Sequence, residues 1–294
     1  MVWNMMKEEE KTKPAEKPTE SVGMLSGEEG IEGIFKKEGI KAYNVDELPK
    51  RRGLKVLVYG KTGTGKTRFC MLSENPIYMI DTENRASVLA ELCKGKKVTV
   101  FDCFRWNKEN YEIDSVETLK EIEKAVYFIG QQKDVKTICI DSISTVWYPL
   151  MADWLRQLVL RTRGTTTKKG KPTLQGALET PSVRMDWARA TSKHMGMLMG
   201  LNSMNANVIL TAKSHPVYDN SGNLTGTYEP KIQKDVMFLV DIAIELFTRL
   251  EGTETKYFGR VTKCAFPTKG VVGTVIENPD FSKVKDLIFG KEAK

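Results

Sequence analysis

Eight residues constrain this chain more than any other feature: Gly60-Lys61-Thr62-Gly63-Thr64-Gly65-Lys66-Thr67. They fit G-x-x-x-x-G-K-[ST] in full. Leu54-Lys55-Val56-Leu57-Val58-Tyr59 precedes them and reads as a buried strand; Arg68-Phe69-Cys70-Met71-Leu72 follows and can begin a helix. In that context the residue types have a shared use. Gly60, Gly63 and Gly65 let the backbone wrap close and turn its N–H groups toward phosphate oxygens. A helix starting near Lys66 adds the positive end of its dipole. Lys66 offers a mobile charge to β- and γ-phosphates, and Thr67 offers a hydroxyl to Mg²⁺. The whole octapeptide, with Lys61, Thr62 and Thr64, is the candidate nucleotide-binding segment.

The rest of the chain supplies what a nucleotide–magnesium site needs. Lys136-Thr137-Ile138-Cys139-Ile140 reads as a buried strand ending in Asp141, a carboxylate placed to hold the metal through its water shell. Ile77-Tyr78-Met79-Ile80 reads as a strand ending in Asp81-Thr82-Glu83. Ser142, not an acid, follows Asp141, so Glu83 is the candidate to polarise an attacking water. Further strands are expected at 98–101, 207–211 and 240–246, with an edge or hairpin strand at 256–264. Helices are expected at 115–130, capped by Ser115, at 147–160 and at 183–202, with a loop at 161–181. Strands alternating with helices predict an α/β fold: a mostly parallel sheet covered on both faces, in three αβα layers.

Charge and composition exclude several classes. Lys plus Arg is 45 against 38 Asp plus Glu, a net charge of +7 that permits a polyanionic partner without demanding one. Residues 1–22 mix lysines, glutamates, Pro14 and Pro18 and are expected to be disordered. Residues 23–50 read as a loose arm, which leaves 51–290 as the folded domain. Cys70, Cys93, Cys103, Cys139 and Cys264 form no Cys-x-x-Cys pair, which argues against a disulfide scaffold and, with only His194 and His215, against zinc. No apolar run reaches the roughly 18 residues of a membrane span. The start carries no apolar signal core, so a cytoplasmic protein is expected, in the host's cytoplasm if virus-encoded. His194, on an apolar helix stripe, reads as a satisfied core residue, and Met195, Met197, Met199 and Met204 as core filler.

The phosphate loop, Asp81-Thr82-Glu83 on the next strand and Ile140-Asp141-Ser142 on the metal strand together resemble the RecA-like ATPases. Within these the chain is most similar to the single-domain RecA-like ATPases of bacteriophages and mobile elements. Asp186-Trp187-Ala188-Arg189, Asn207 to Ala212, Pro230-Lys231 and Val240-Asp241 extend the likeness over roughly residues 51–290. The resemblance implies ATP and Mg²⁺ as cofactors, head-to-tail assembly into a homo-oligomeric ring or filament, and action on single-stranded DNA in annealing, recombination or repair. It implies catalysis by Glu83 with Lys66, and a γ-phosphate sensor after the Val208–Thr211 strand, where Lys213, Ser214 and His215 are the candidates. Relatives end a late strand with Lys-x-Arg that serves the neighbour's nucleotide. Here Lys263 fits but the arginine is missing, with Arg260 or Lys269 as substitutes.

DNA contact is sought in the basic stretch holding Arg161, Arg163, Lys168, Lys169 and Lys171, which has no acidic residue between Asp153 and Glu179. Tyr218 and Tyr228 flank a strong turn signal at 220–223; they serve either as stacking platforms or as parts of an ordinary hairpin. Two other functions use the same phosphate loop: a kinase, which leaves Asp81-Thr82-Glu83 unexplained, and a non-catalytic nucleotide switch that only orders subunits.

Overall fold

Alternate residues of each apolar strand bury on opposite sides of one sheet, and that alternation explains the architecture of the computed structural model, which describes residues 53–108, 112–147, 150 and 182–290. The arm at 1–50, most of the helix expected at 147–160 and the loop at 161–181 lie outside these residues. In chain order come β1 (Lys55–Gly60), α1 (Lys66–Met71), β2 (Ile77–Asp81), a 3-10 segment (Ala86–Cys93) and β3 (Val98–Asp102). A short ribbon, β4 (Trp106–Asn107) with β5 (Glu112–Ile113), leads to α2 (Ser115–Gly130), β6 (Thr137–Asp141) and α3 (Ser182–Ser203). Then follow β7 (Asn207–Tyr218), β8 (Leu224–Pro230), α4 (Val236–Leu239), β9 (Ile242–Glu251), β10 (Glu254–Cys264), β11 (Val275–Glu277) and α5 (Phe281–Phe289).

The sheet order is β11-β10-β9-β1-β7-β6-β2-β3, with β8 paired to β7. The six strands from β9 to β3 are parallel; β8, β10 and β11 run antiparallel to their neighbours. On one face Leu57, Tyr59, Ile80, Ile138, Ile140 and Leu210 pack with Leu119, Ile122 and Ile129 of α2 and Leu198 and Leu201 of α3. On the other, Val56, Val58, Met79, Cys139 and Ile209 pack with Phe69 and Met71 of α1 and Phe281, Val284 and Ile288 of α5. This is the three-layer α/β arrangement expected. Each large aliphatic side chain moved from water into these layers contributes about 1.5–3 kcal/mol, so both helix layers are needed to hold the sheet.

Local details depart from expectation. Asp114, not Ser115, caps α2, accepting from the Glu117 amide at 3.0 Å. The 3-10 segment and α5 were not anticipated, although α5 shows Phe281, Val284 and Ile288 on one side and a cap from Asp280. The strand expected at 207–211 continues to Tyr218 and turns into β8. Asp219 fixes that turn by accepting from the Ser221 and Asn223 amides, both at 2.8 Å. Lys55 lies wholly inside the fold, and its ammonium donates to the Met204 and Ala206 carbonyls at 3.2 and 2.6 Å, tying β1 to the chain leaving α3. Met195, Met197 and Met204 pack on the core, whereas Met199 is exposed.

His194 is buried as expected but not satisfied. Among the described residues neither ring nitrogen has a hydrogen-bond partner, and the ring meets Trp147 edge-on at 5.3 Å between centroids. Burial depresses its imidazole from 6.5 to about 4. The folded state therefore keeps His194 neutral, while the unfolded chain takes up a proton below pH 6.5. The stability this neutrality preserves is intact above pH 6.5 and is lost as pH falls to about 4, on the order of 3 kcal/mol in all. Denaturant titrations of wild type and His194→Phe across pH 7 to 4 should show the variant gaining relative stability toward acid; parallel curves would refute the assignment.

Candidate active site

Strand register brings the site together. Asp81 pairs with Asp141 across β2 and β6, Ile140 with Leu210 across β6 and β7, and Gly60 with Lys213 across β1 and β7. The carboxyl ends of four parallel strands thus open on one edge, beside the loop leaving β1. A cavity of about 400 Å³ sits there, lined by Gly63, Lys66, Thr67, Glu83, Asp141 and Lys213 among others.

The phosphate loop is shaped by close approaches. A Cβ on Gly60 would lie 2.4 Å from the Leu246 carbonyl oxygen, so nothing larger than glycine fits where the loop leaves β1. Gly65 holds φ at +92°, which admits glycine far more readily than other residues. The Thr64 hydroxyl donates to the Lys61 carbonyl at 2.8 Å, closing the bend. Thr62, Gly63 and Gly65 line the cavity. The Lys66 ammonium donates to the Gly60 and Lys61 carbonyls at 3.0 and 2.7 Å, so it lies across the mouth of the loop. Burial holds it below its usual value, against the pull of Asp141 and Glu83.

Asp141 is almost fully buried. Burial pushes its carboxyl upward, while hydroxyl donors from Thr211 and Thr67 push it back. Thr67 donates at 2.5 Å, and Thr211 makes a second short bond to the other oxygen. Thr211 was not singled out in the sequence; only the register of β7 against β6 places it beside Asp141. The donor set is a hydroxyl and a carboxylate, all oxygen, which fits a hard divalent cation such as Mg²⁺.

Glu83 stands across the cavity. Its Oε1 accepts from Ser142 at 2.7 Å and Thr145 at 2.8 Å, and the Lys213 ammonium lies 3.0 Å away. Burial raises its pKa, but these three donors together outweigh burial and hold it below the usual carboxylate value. Asp81 is not itself a cavity group. Its two oxygens accept from the Glu83 and Ala86 amides at 3.0 and 2.8 Å and so fix the turn that carries Glu83. Thr82 ties the β2 tip to the β6 tip, accepting from the Ser142 amide at 3.0 Å.

Residues 52–270 match the AAA domain family. The chain belongs to that family. It carries an AAA domain on the three-layer α/β frame described above. Among solved structures it is similar to the KaiC-like protein PH0186 from the hyperthermophilic archaeon Pyrococcus horikoshii OT3, at 18% identity over 78% of this chain and 90% of that one, with a TM-score of 0.38. No curated protein matches. Among the described residues no helix is long and apolar enough to cross a membrane, and all five cysteines are free.

In this AAA domain the three sensor candidates are placed differently. Lys213 reaches the cavity and Glu83. Ser214, one residue on, has the opposite strand parity and a buried hydroxyl without a partner among the described residues, so it does not face the phosphate loop. His215 is exposed where β7 pairs with β8. The trans-acting candidate Lys263 is turned inward: its ammonium donates to the Val240 carbonyl at 2.7 Å and to that of Met237, at the end of α4. Arg260 stands beside Glu245 at 3.8 Å, over the Phe247 ring. Tyr228 is covered by the Lys61 ammonium at 4.2 Å, while Tyr218 is exposed. Arg161, Arg163, Lys168, Lys169 and Lys171 lie outside the described residues.

Because Lys213 favours the ionised form of Glu83, replacing it with Met should raise the Glu83 pKa. The acid limb of the nucleotide-turnover profile should then move to higher pH, whatever the change in maximal rate. A pH–rate comparison with wild type checks this, and an unmoved limb would count against Glu83 as the titrating base.

Proposed function

We propose that this chain is a Mg²⁺-dependent ATPase that works on single-stranded DNA, in recombination, annealing or repair, as a homo-oligomer. One observation carries the hydrolytic part: an ionised glutamate, Glu83, shares a cavity with Lys66 of the phosphate loop and with Asp141. The phosphate-loop amides and Lys66 would bind the triphosphate, and Thr67 and Asp141 would hold Mg²⁺, which neutralises charge on the β- and γ-phosphate oxygens when bound. Three donors occupy Oε1 of Glu83, and among the described residues none meets Oε2. That second oxygen is the one able to accept a proton from an attacking water. The DNA part rests on the RecA-like resemblance, the basic stretch from Arg161 to Lys171, and Tyr218 standing exposed on the β7–β8 hairpin.

The competing reading is a nucleotide-driven assembly switch without turnover. The ion pair between Lys213 and Glu83 favours it, since that contact occupies the carboxylate. Glu83→Gln separates the two. It should retain ADP and ATP binding while turnover drops about a hundredfold or more; unchanged turnover rejects Glu83 as the base. Lys66→Ala should abolish tight nucleotide binding on either reading.

The DNA assignment is tested by ATP turnover with and without a single-stranded oligonucleotide, alongside a gel shift at low salt. Turnover should rise with DNA. Lys168→Glu, Lys169→Glu and Lys171→Glu together should abolish the shift, because phosphate contacts made by lysines are lost and reversed. A wild-type rate indifferent to DNA, with no shift at low salt, removes DNA from the function and leaves the ATPase.

A further inference from the structure

Four cationic side chains line the cavity: Lys66, Arg68, Arg85 and Lys213. Three are engaged within the chain. Lys66 donates to loop carbonyls, Lys213 pairs with Glu83, and the Arg68 guanidinium lies 5.8 Å from the centre of the Tyr257 ring. Arg85 is exposed and, among the described residues, has no carboxylate, carbonyl or ring partner. Its backbone is nonetheless fixed, because the two oxygens of Asp81 pin the turn at Glu83 and at Ala86, on either side of it. A second observation is independent of the first. Lys263, the resemblance's candidate for a neighbouring subunit's nucleotide, donates instead to the carbonyls at the end of α4. The site thus has an unpaired guanidinium of its own, while the lysine available for a neighbour is spoken for.

We propose that Arg85 is a catalytic residue acting in cis, donating to the terminal phosphoryl oxygens as negative charge builds on them. This rests on the hydrolytic reading above. In that reaction the water oxygen bonds to the terminal phosphorus. The bond from that phosphorus to the bridging oxygen breaks with its electron pair left on ADP, and the water's proton passes to Glu83. The guanidinium sits two residues from Glu83 on the same pinned turn, so the group that takes the proton and the group that takes the charge are positioned together. Its planar fork suits two phosphoryl oxygens at once, which an ammonium does not.

The test uses the full chain with ATP and Mg²⁺. Arg85→Ala should lower kcat about a hundredfold, with ADP affinity within about threefold of wild type. Arg85→Lys should recover only part of the rate. Arg85→Ala co-expressed with Glu83→Gln should show no more turnover than either alone, because each active site still lacks one group. Restored turnover in the mixed assembly would place the arginine in trans and overturn the proposal. So would an unchanged kcat in Arg85→Ala, or a loss of ADP binding that accounts for the whole defect. A wild-type chain without turnover would instead remove the hydrolytic reading and this inference with it, a result distinct from normal wild-type turnover with an unaffected Arg85→Ala.

Discussion

A carboxylate taken almost wholly out of water is costly, by several kcal/mol, unless hydrogen bonds replace what the solvent gave it. Asp141 is such a group, and Asp81 and Glu83 nearby push it further toward neutrality. Two hydroxyls offset this, from Thr67 at the start of α1 and from Thr211 on β7. Hydrogen bonds to a charged group contribute roughly 1.5–3 kcal/mol each, so the pair offsets part of the penalty, and burial still holds the carboxyl above its usual pKa. The consequence is geometric. One carboxyl side chain joins the phosphate-loop helix α1, strand β6 and the strand β7 between β1 and β6, and the cavity takes its shape from that junction.

The parts of the site that were legible in the sequence are those whose geometry is local. The octapeptide at 60–67 carries its own conformation, with positive φ at Gly63 and Gly65. Asp141 and Glu83 were legible because an apolar strand announces where its end lies. What depends on register was not. Thr211 lies 70 residues from Asp141, and nothing along the chain says that β7 sits between β1 and β6 in the alignment that makes them neighbours. Asp81 read as one acid among two at a strand tip, but its oxygens turn back onto backbone amides. Ser214 and Lys213 looked equivalent in sequence; strand parity sends them to opposite faces. The inward turn of Lys263 follows from α4, a single turn of helix whose last carbonyls lie against β10 and require a donor. The α5 stripe is local and present in the sequence as Phe281, Val284 and Ile288 behind the Asp280 cap.

The same junction reaches the surface through one hairpin. Lys213 leaves the sheet at Glu83, and its amide accepts no slack: it donates to the Ser144 hydroxyl at 3.0 Å, which donates in turn to the Lys231 carbonyl at 2.6 Å. The Lys231 amide closes back on the Lys213 carbonyl at 2.6 Å. The β8 strand also lays Tyr228 under Lys61 of the phosphate loop. Both strands of the hairpin are therefore held at the nucleotide site, while its tip, with Tyr218 and Leu224, stands in solvent. Lys213 and Tyr228 thus tie the base of the hairpin to Glu83 and to the phosphate loop.

Charge balance ties these features together. Four cations, Lys66, Arg68, Arg85 and Lys213, face two carboxylates, Glu83 and Asp141, around one cavity. This cationic lining suits an anionic ligand. Among the described residues, Lys213 is paired with a carboxylate, while Lys66 meets backbone carbonyls, Arg68 faces a ring and Arg85 has no partner. Arg85 is carried on the same turn as Glu83, whose Oε2 meets no donor among the described residues.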